Sequence, residues 1–240
     1  MISKSQIEEL RDKWQTPEPN VAREYVQHVL LAALFGGIKE EVKLAFKGGT
    51  ALRLLRQSSR FSEDLDFTGW SKAFHVGGWI KLAVREASTA GLDFKIQESN
   101  PTSGGWFALV QTKVHEWPVQ IEWNISLRQT KNLKTETVLV ASPLWTPYSV
   151  KSLALEEMVQ EKVEALLRRK EPRDFYDVYF LLRERLGVRK IVAAKDSLIK
   201  NAAGLSAKAV EKELKQFLPR SQWALARQLP RLLLQELERL

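Results

Sequence analysis

Residues 46–67 constrain this chain more than any other stretch: Phe-Lys-Gly-Gly-Thr-Ala-Leu-Arg-Leu-Leu-Arg-Gln-Ser-Ser-Arg-Phe-Ser-Glu-Asp-Leu-Asp-Phe. The apolar run from Val42 to Phe46 predicts a short buried strand. Two glycines and a threonine follow, then a short helix over Ala51 to Gln57, then a return into Asp64-Leu65-Asp66-Phe67. Alternate side chains of a strand share a face. Asp64 and Asp66 therefore point one way while Leu65 and Phe67 enter a core. Two carboxylates held side by side repel, and one is driven toward protonation unless a cation offsets them. Mg²⁺ suits such a pair, because it takes one or two carboxylates and fills its other positions with water and substrate phosphate. Mn²⁺ is an alternative.

The glycine turn supplies a place for that phosphate. Gly48 and Gly49 allow backbone to approach a ligand closely, and Thr50 can cap the helix that follows. The N-terminus of that helix offers free N–H groups and a partial positive charge. A glycine turn, a short helix and an acidic pair on the next strand can hold a nucleoside triphosphate (NTP) against Mg²⁺. Gly49-Thr50, thirteen residues, then Asp64-Leu65-Asp66 resembles the first motif of the DNA polymerase β-like nucleotidyltransferase superfamily. The fuller string, Lys-Gly-Gly-Thr-Ala-Leu and then Arg60-Phe61-Ser62-Glu63-Asp64-Leu65-Asp66-Phe67, resembles the AbiEii/AbiGii toxin branch.

Elsewhere the strand from Val119 to Leu127 alternates cleanly. Val119, Ile121, Trp123, Ile125 and Leu127 fall on one face, and Gln120, Glu122, Asn124 and Ser126 on the other. Glu122 is a carboxylate on the non-core face, either an ordinary solvent-facing glutamate or a metal ligand. The resemblance implies the latter, since the superfamily carries a third metal-side carboxylate on a later strand.

A second constellation spans residues 156–182. Glu161-Lys162-Val163-Glu164-Ala165-Leu166 precedes Pro172-Arg173-Asp174-Phe175-Tyr176-Asp177. Pro172 suits the first turn of a helix, and Asp174 and Asp177 lie three apart on one helical face. An antiparallel helix pair would bring Lys162 near Arg173 and Asp174. Such a group is either an interhelical ion pair or the cationic support that a leaving pyrophosphate needs. The resemblance to the later AbiEii motifs implies functional roles for Lys162 and Asp174. Arg173 is a further candidate nucleotide contact, and either Arg173 or Asp177 is alternatively structural support. Arg53 and Arg56, on the short helix, are either phosphate contacts or solvated charges.

Before the glycine turn, a short helix ends in Thr-Pro-Glu-Pro-Asn. Asn20 then reads as the cap of a helix over residues 21–35 that stops at Gly36-Gly37. His28 lies in that helix as a packing or surface residue. Gly77-Gly78 reads as the start of a helix ending near Gly91. Strands follow at Leu92–Gln97, Trp106–Val114 and 136–142, with Asn100–Gly105 and Ser142–Pro147 as loops. Helices are expected near 152–170, 173–186, 188–201, 206–218 and 221–240, the last bent at Pro230.

The fold expected is α/β (α+β). A nucleotidyltransferase core with a mixed sheet occupies residues 1–147 and a helical C-terminal lobe residues 148–240, with the site in the cleft between them. The chain has no cysteine, which excludes disulfides, thiolate metal sites and a cysteine nucleophile. No phosphate-binding P-loop, dinucleotide fingerprint, histidine cluster or nucleophile elbow occurs. No signal peptide is apparent, and no stretch approaches the roughly 20 apolar residues of a membrane span, so a cytoplasmic protein without a membrane partner is expected. The net charge of +8 favours a polyanionic partner. The resemblance implies a toxin of a toxin–antitoxin or abortive-infection system. Its substrates would be an NTP and an RNA acceptor, the 3′ end of tRNA, and a cognate antitoxin would neutralise it. A transferase acting on a protein or small-molecule hydroxyl, and a nucleic-acid-binding module without enzymatic activity, are the competing readings.

Overall fold

The computed structural model describes residues 1–37, 43–70, 73–128 and 133–240, so Val42 lies outside the described residues. The chain forms two compact units. One comprises Met1–Gln57 and Phe61–Leu153; the other comprises Ser58–Arg60 and Ala154–Leu240.

The first unit begins with α1 (Lys4–Trp14). Ser3 caps it reciprocally with Gln6: the Gln6 N–H donates to Ser3 Oγ at 3.2 Å and the Ser3 N–H to Gln6 Oε1 at 3.0 Å. Next comes α2 (Glu18–Gly37). Asn20 is not its cap. The helix starts earlier, with Pro19 in the first turn where its missing N–H costs nothing, and Asn20 Nδ2 donates back to Thr16 Oγ1 at 2.9 Å. Then follow β1 (Leu44–Lys47), α3 (Gly48–Arg56), β2 (Leu65–Gly69), α4 (Ala73–Ala87), β3 (Lys95–Thr102), β4 (Gly105–Val114), β5 (Trp117–Ser126), β6 (Thr135–Ser142) and β7 (Trp145–Leu153).

The seven strands form one mixed sheet in the order β3-β4-β5-β2-β1-β7-β6. β2 pairs antiparallel with β1 and parallel with β5, which places it at the centre. Phe46, Phe67 and Trp123, all fully buried, gather on one face of these strands. Phe67 lies 5.6 Å from Phe46 and is stacked on Trp123 at 5.5 Å between ring centroids. Helix α2 lies against β5 and β7 and adds Phe35, 6.4 Å from Phe67. Burying aromatic area on this scale is the main force holding β2 in place.

Three expectations need correction. Gly77 and Gly78 lie inside α4, because the ring of Trp106 occupies the space a Cβ on Gly77 would need, 2.8 Å from its nearest atom. The stretch Asn100–Gly105 is mostly strand: β3 runs to Thr102, pairing with Gly105 across a turn at Ser103-Gly104. Residues 145–147, expected as loop, open β7, which pairs with β6 and parallel to β1, so the sheet-bearing unit extends to Leu153.

The second unit is helical: α5 (Leu155–Arg169), α6 (Pro172–Arg183), α7 (Val188–Val192), α8 (Lys195–Ala203), α9 (Ala207–Leu214) and α10 (Trp223–Glu238). The single helix expected over 188–201 is broken at Ala193-Ala194 into α7 and α8. Pro230 lies inside α10, which runs on to Glu238. Met158, Val159, Lys162, Val163 and Leu166 form the buried stripe of α5, so a lysine sits within an otherwise apolar face.

Candidate active site

Strand β1 runs straight into α3, which starts at Gly48 rather than at Ala51. The junction needs glycine twice over. Gly48 has φ +86°, and a Cβ there would collide with the carboxylate of Asp66, 2.8 Å from its Cγ. Lys47, at the cap position, makes no side-chain cap hydrogen bond, so no side chain at that position claims the N–H groups of the first turn. Thr50 is not the cap either. It lies buried in the helix, and its hydroxyl donates to the backbone carbonyl of Asp64. That bond fixes the end of the loop immediately before β2.

A second clamp holds the same loop. Gln27 of α2, buried, donates through Nε2 to the carbonyls of Ser62 at 3.0 Å and Glu63 at 3.1 Å. Asp64 sits just before β2 and Asp66 within it, both half-buried. Lys47 and Asn124 are the register partners of Asp66 on its two sides, and paired residues share a face. Gln27, Lys47 and Asn124 were not singled out from the sequence as site residues. The alternation that exposed Glu122 also placed Asn124 on its face. Gln27 carried no signal, because its hydrogen bonds reach 35 and 36 residues along the chain.

The donors fit a hard cation. Asp64 and Asp66 offer only oxygen, and Asp66 is held on a central strand against Gly48. Glu122 is exposed on β5, on the same face as Asn124. Among the described residues, no three histidine, aspartate or glutamate side chains stand close enough to enclose an ion. Asp64, Asp66 and Glu122 are therefore not gathered into one set of ligands.

The helical unit arranges its charges differently from the sequence expectation. Lys162 meets Asp177, not Asp174: its Nζ donates to Asp177 Oδ2 at 2.7 Å. Arg60 donates to the same carboxylate twice, from Nε at 2.9 Å and Nη2 at 3.0 Å. All three side chains are buried. Burial pushes the Asp177 carboxyl upward, but the Arg60 guanidinium and the Lys162 ammonium outweigh it and hold the group below the usual carboxylate range. Asp174 instead serves its own helix. It accepts from Arg169 Nη2 at 2.6 Å and from the Glu171 N–H at 3.4 Å, closing a capping box with Glu171. Arg173 pairs with Glu171 at 2.8 Å. The helices α5 and α6 do pack together, but the side of α6 turned to Lys162 is one turn further along than Asp174. In the first unit, Arg53 pairs with Glu24 at 2.8 Å and Arg56 with Glu136, so neither is simply solvated.

Solved structures share this architecture. MenT4, a nucleotidyltransferase toxin from Mycobacterium tuberculosis, superposes with a TM-score of 0.65 at 18% identity, covering 100% of this chain and 91% of its own. JHP933 from Helicobacter pylori gives a TM-score of 0.56 at 20% identity, covering 93% of this chain and 95% of its own. Among curated proteins none matches the sequence. The model of the nucleotidyl transferase AbiEii toxin family, of type IV toxin–antitoxin systems, matches residues 29–237. That span contains the Gly48–Thr50 junction, the acidic pair and the Lys162–Asp177 pair, and the chain belongs to the AbiEii nucleotidyltransferase toxin family.

Proposed function

We propose that the chain transfers a nucleoside monophosphate from an NTP to the 3′ hydroxyl of an RNA, tRNA in the first instance, releasing pyrophosphate. The observation that carries this reading is the packing of the Asp66 carboxylate against Gly48, at the start of a helix whose cap residue, Lys47, makes no side-chain cap hydrogen bond. That arrangement sets a seat for phosphate beside an acidic pair on one rigid strand.

In this reading Asp64 and Asp66 hold Mg²⁺ or Mn²⁺, which supplies charge neutralisation and activation of the attacking hydroxyl when bound. Glu122, on the same sheet face but not drawn in with the pair, would join as the third carboxylate when the ion is bound. Gly48 and Gly49 admit the triphosphate close to backbone, and their N–H groups bind its oxygens. Thr50 and Gln27 keep the run-in to β2 in place, so that the pair is set before substrate arrives. Lys162 is proposed, on the family resemblance, as the cation that offsets the charge of departing pyrophosphate. Asp177 holds its ammonium in position. Asp174 is proposed to orient the acceptor hydroxyl, since Lys162 is held by Asp177, and Arg173 to contact the nucleotide, alongside the bonds they make at the start of α6.

The partner in this reading is RNA because the chain carries +8 net charge. A cognate antitoxin is expected from the type IV family. The test is incubation of the purified protein with Mg²⁺, total tRNA and each α-labelled NTP, with Asp66→Asn alongside. Label on tRNA from wild type alone supports the proposal. Nucleotide binding without labelled tRNA would move the acceptor to a protein or small-molecule hydroxyl.

A further inference from the structure

A pocket of about 300 Å³ opens beside the C-terminal half of α3, away from the acidic pair. Trp14, Glu24, His28, Arg53, Leu54 and Gln57 line it together with the end of β6 and Pro143. At a rise of about 1.5 Å per residue, Gln57 lies roughly 13 Å along the helix from Gly48. The pocket is thus separate from the phosphate seat at the helix start.

Its chemistry is specific. His28 is 1% exposed; its Nδ1 is bonded to the Tyr148 hydroxyl at 2.8 Å, and its Nε2 has no hydrogen-bond partner among the described residues. A buried polar nitrogen without a partner is costly, and a ligand that pairs with it recovers that cost. Burial, with Arg53 nearby, lowers the His28 pKa to about 4, so the ring is neutral at neutral pH. Glu24 and Arg53 satisfy each other at 2.8 Å, which leaves the pocket no net charge to attract an ion. Planar groups line it: the Trp14 indole and the Arg53 guanidinium, which lies 5.4 Å from the Trp14 ring centroid and 3.9 Å from that of Phe61.

A fitting occupant is uncharged, planar, and carries a hydrogen-bonding edge for one imidazole nitrogen. A nucleobase meets all three demands. We propose that this pocket binds one unstacked base of the RNA acceptor, lying between Trp14 and His28 and apart from the incoming nucleotide. The identity of the base as part of the acceptor rests on the transferase reading above; the binding of a base does not.

The experiment therefore has two arms. In the first, adenosine, guanosine, cytidine and uridine are each titrated into the full chain by calorimetry. Wild type, Trp14→Ala and Leu54→Trp are compared, with matched thermal melts confirming the fold. Trp14→Ala removes a stacking face, and Leu54→Trp fills the pocket without touching its buried polar groups. Saturable binding of at least one nucleoside, weakened about tenfold or more in both variants, is expected for loss of one base–aromatic contact. No binding, or binding unchanged in Leu54→Trp, overturns the proposal. In the second arm, label transfer to RNA is measured for the same proteins. A raised KM for RNA with an unchanged KM for NTP is expected in Leu54→Trp, and an unchanged KM for RNA removes the acceptor assignment. If wild type labels no RNA at all, the RNA-acceptor reading fails, and the nucleoside titration still decides the pocket.

Discussion

Gly48 is under two constraints that are separable by experiment. Alanine there would meet both the positive φ and the Asp66 carboxylate. Gly48→Ala is expected to cost about 1–3 kcal/mol in a urea melt, from the strained backbone, and to lose nucleotide transfer. Asp66→Asn keeps the shape of the side chain and is expected to abolish transfer while moving the thermal midpoint by only a few degrees. A variant that stayed active would remove Asp66 from the site. His28 gives a pH test. Its folded pKa, about 4, lies below the ordinary 6.5, so the unfolded chain takes up the proton first as pH falls. The stability contributed by neutral, buried His28 is complete above pH 6.5 and drains away between 6.5 and 4. His28→Gln is expected to flatten denaturant-melt stability across that window, by an amount up to about 3 kcal/mol. The acidic pair and the glycines were legible in the sequence because their logic is local: alternation, spacing and a turn. The burial of His28 against Tyr148 was not, since that contact spans 120 residues.

At the level of elements, α5 and α6 show how far periodicity reaches and where it stops. It places Lys162 on the apolar stripe of α5 and both aspartates near the start of α6. Which aspartate meets Lys162 depends on how the two helices cross, and that is decided by packing of the whole helical unit. Asp174 was the residue expected from sequence resemblance, yet its carboxylate is engaged by Arg169 and the helix start, while Asp177 holds both buried cations. Asp177→Asn would remove the carboxylate charge that the buried Arg60 and Lys162 share. It is expected to destabilise the chain by about 3–5 kcal/mol, read as a lowered urea midpoint, whereas Asp174→Asn should cost only about 0.5–2 kcal/mol as a weakened cap. Equal losses from the two would refute the distinction. The misplaced helix start at Gly77 has a similar origin. Glycine argues locally against a helix interior, and only the ring of Trp106, brought in by β4, makes a side chain at that position unwelcome.

For the molecule as a whole, the net charge of +8 predicts RNA binding that weakens steeply with salt. Affinity of the Asp66→Asn protein for tRNA should fall at least tenfold between 50 and 200 mM salt, in filter binding, if the basic surface makes several phosphate contacts. An affinity indifferent to salt would argue against a polynucleotide acceptor. The two compact units also divide the chain unevenly: Ser58–Arg60 belongs with the helices, although the residues on either side belong with the sheet. This division has a consequence for synthesis. Arg60 leaves the ribosome 117 residues ahead of Asp177, the carboxylate to which it donates twice. At about 5–20 residues per second, some ten seconds pass between the synthesis of Arg60 and that of Asp177. Ser58–Arg60 therefore cannot settle into its final contacts until α6 has been made.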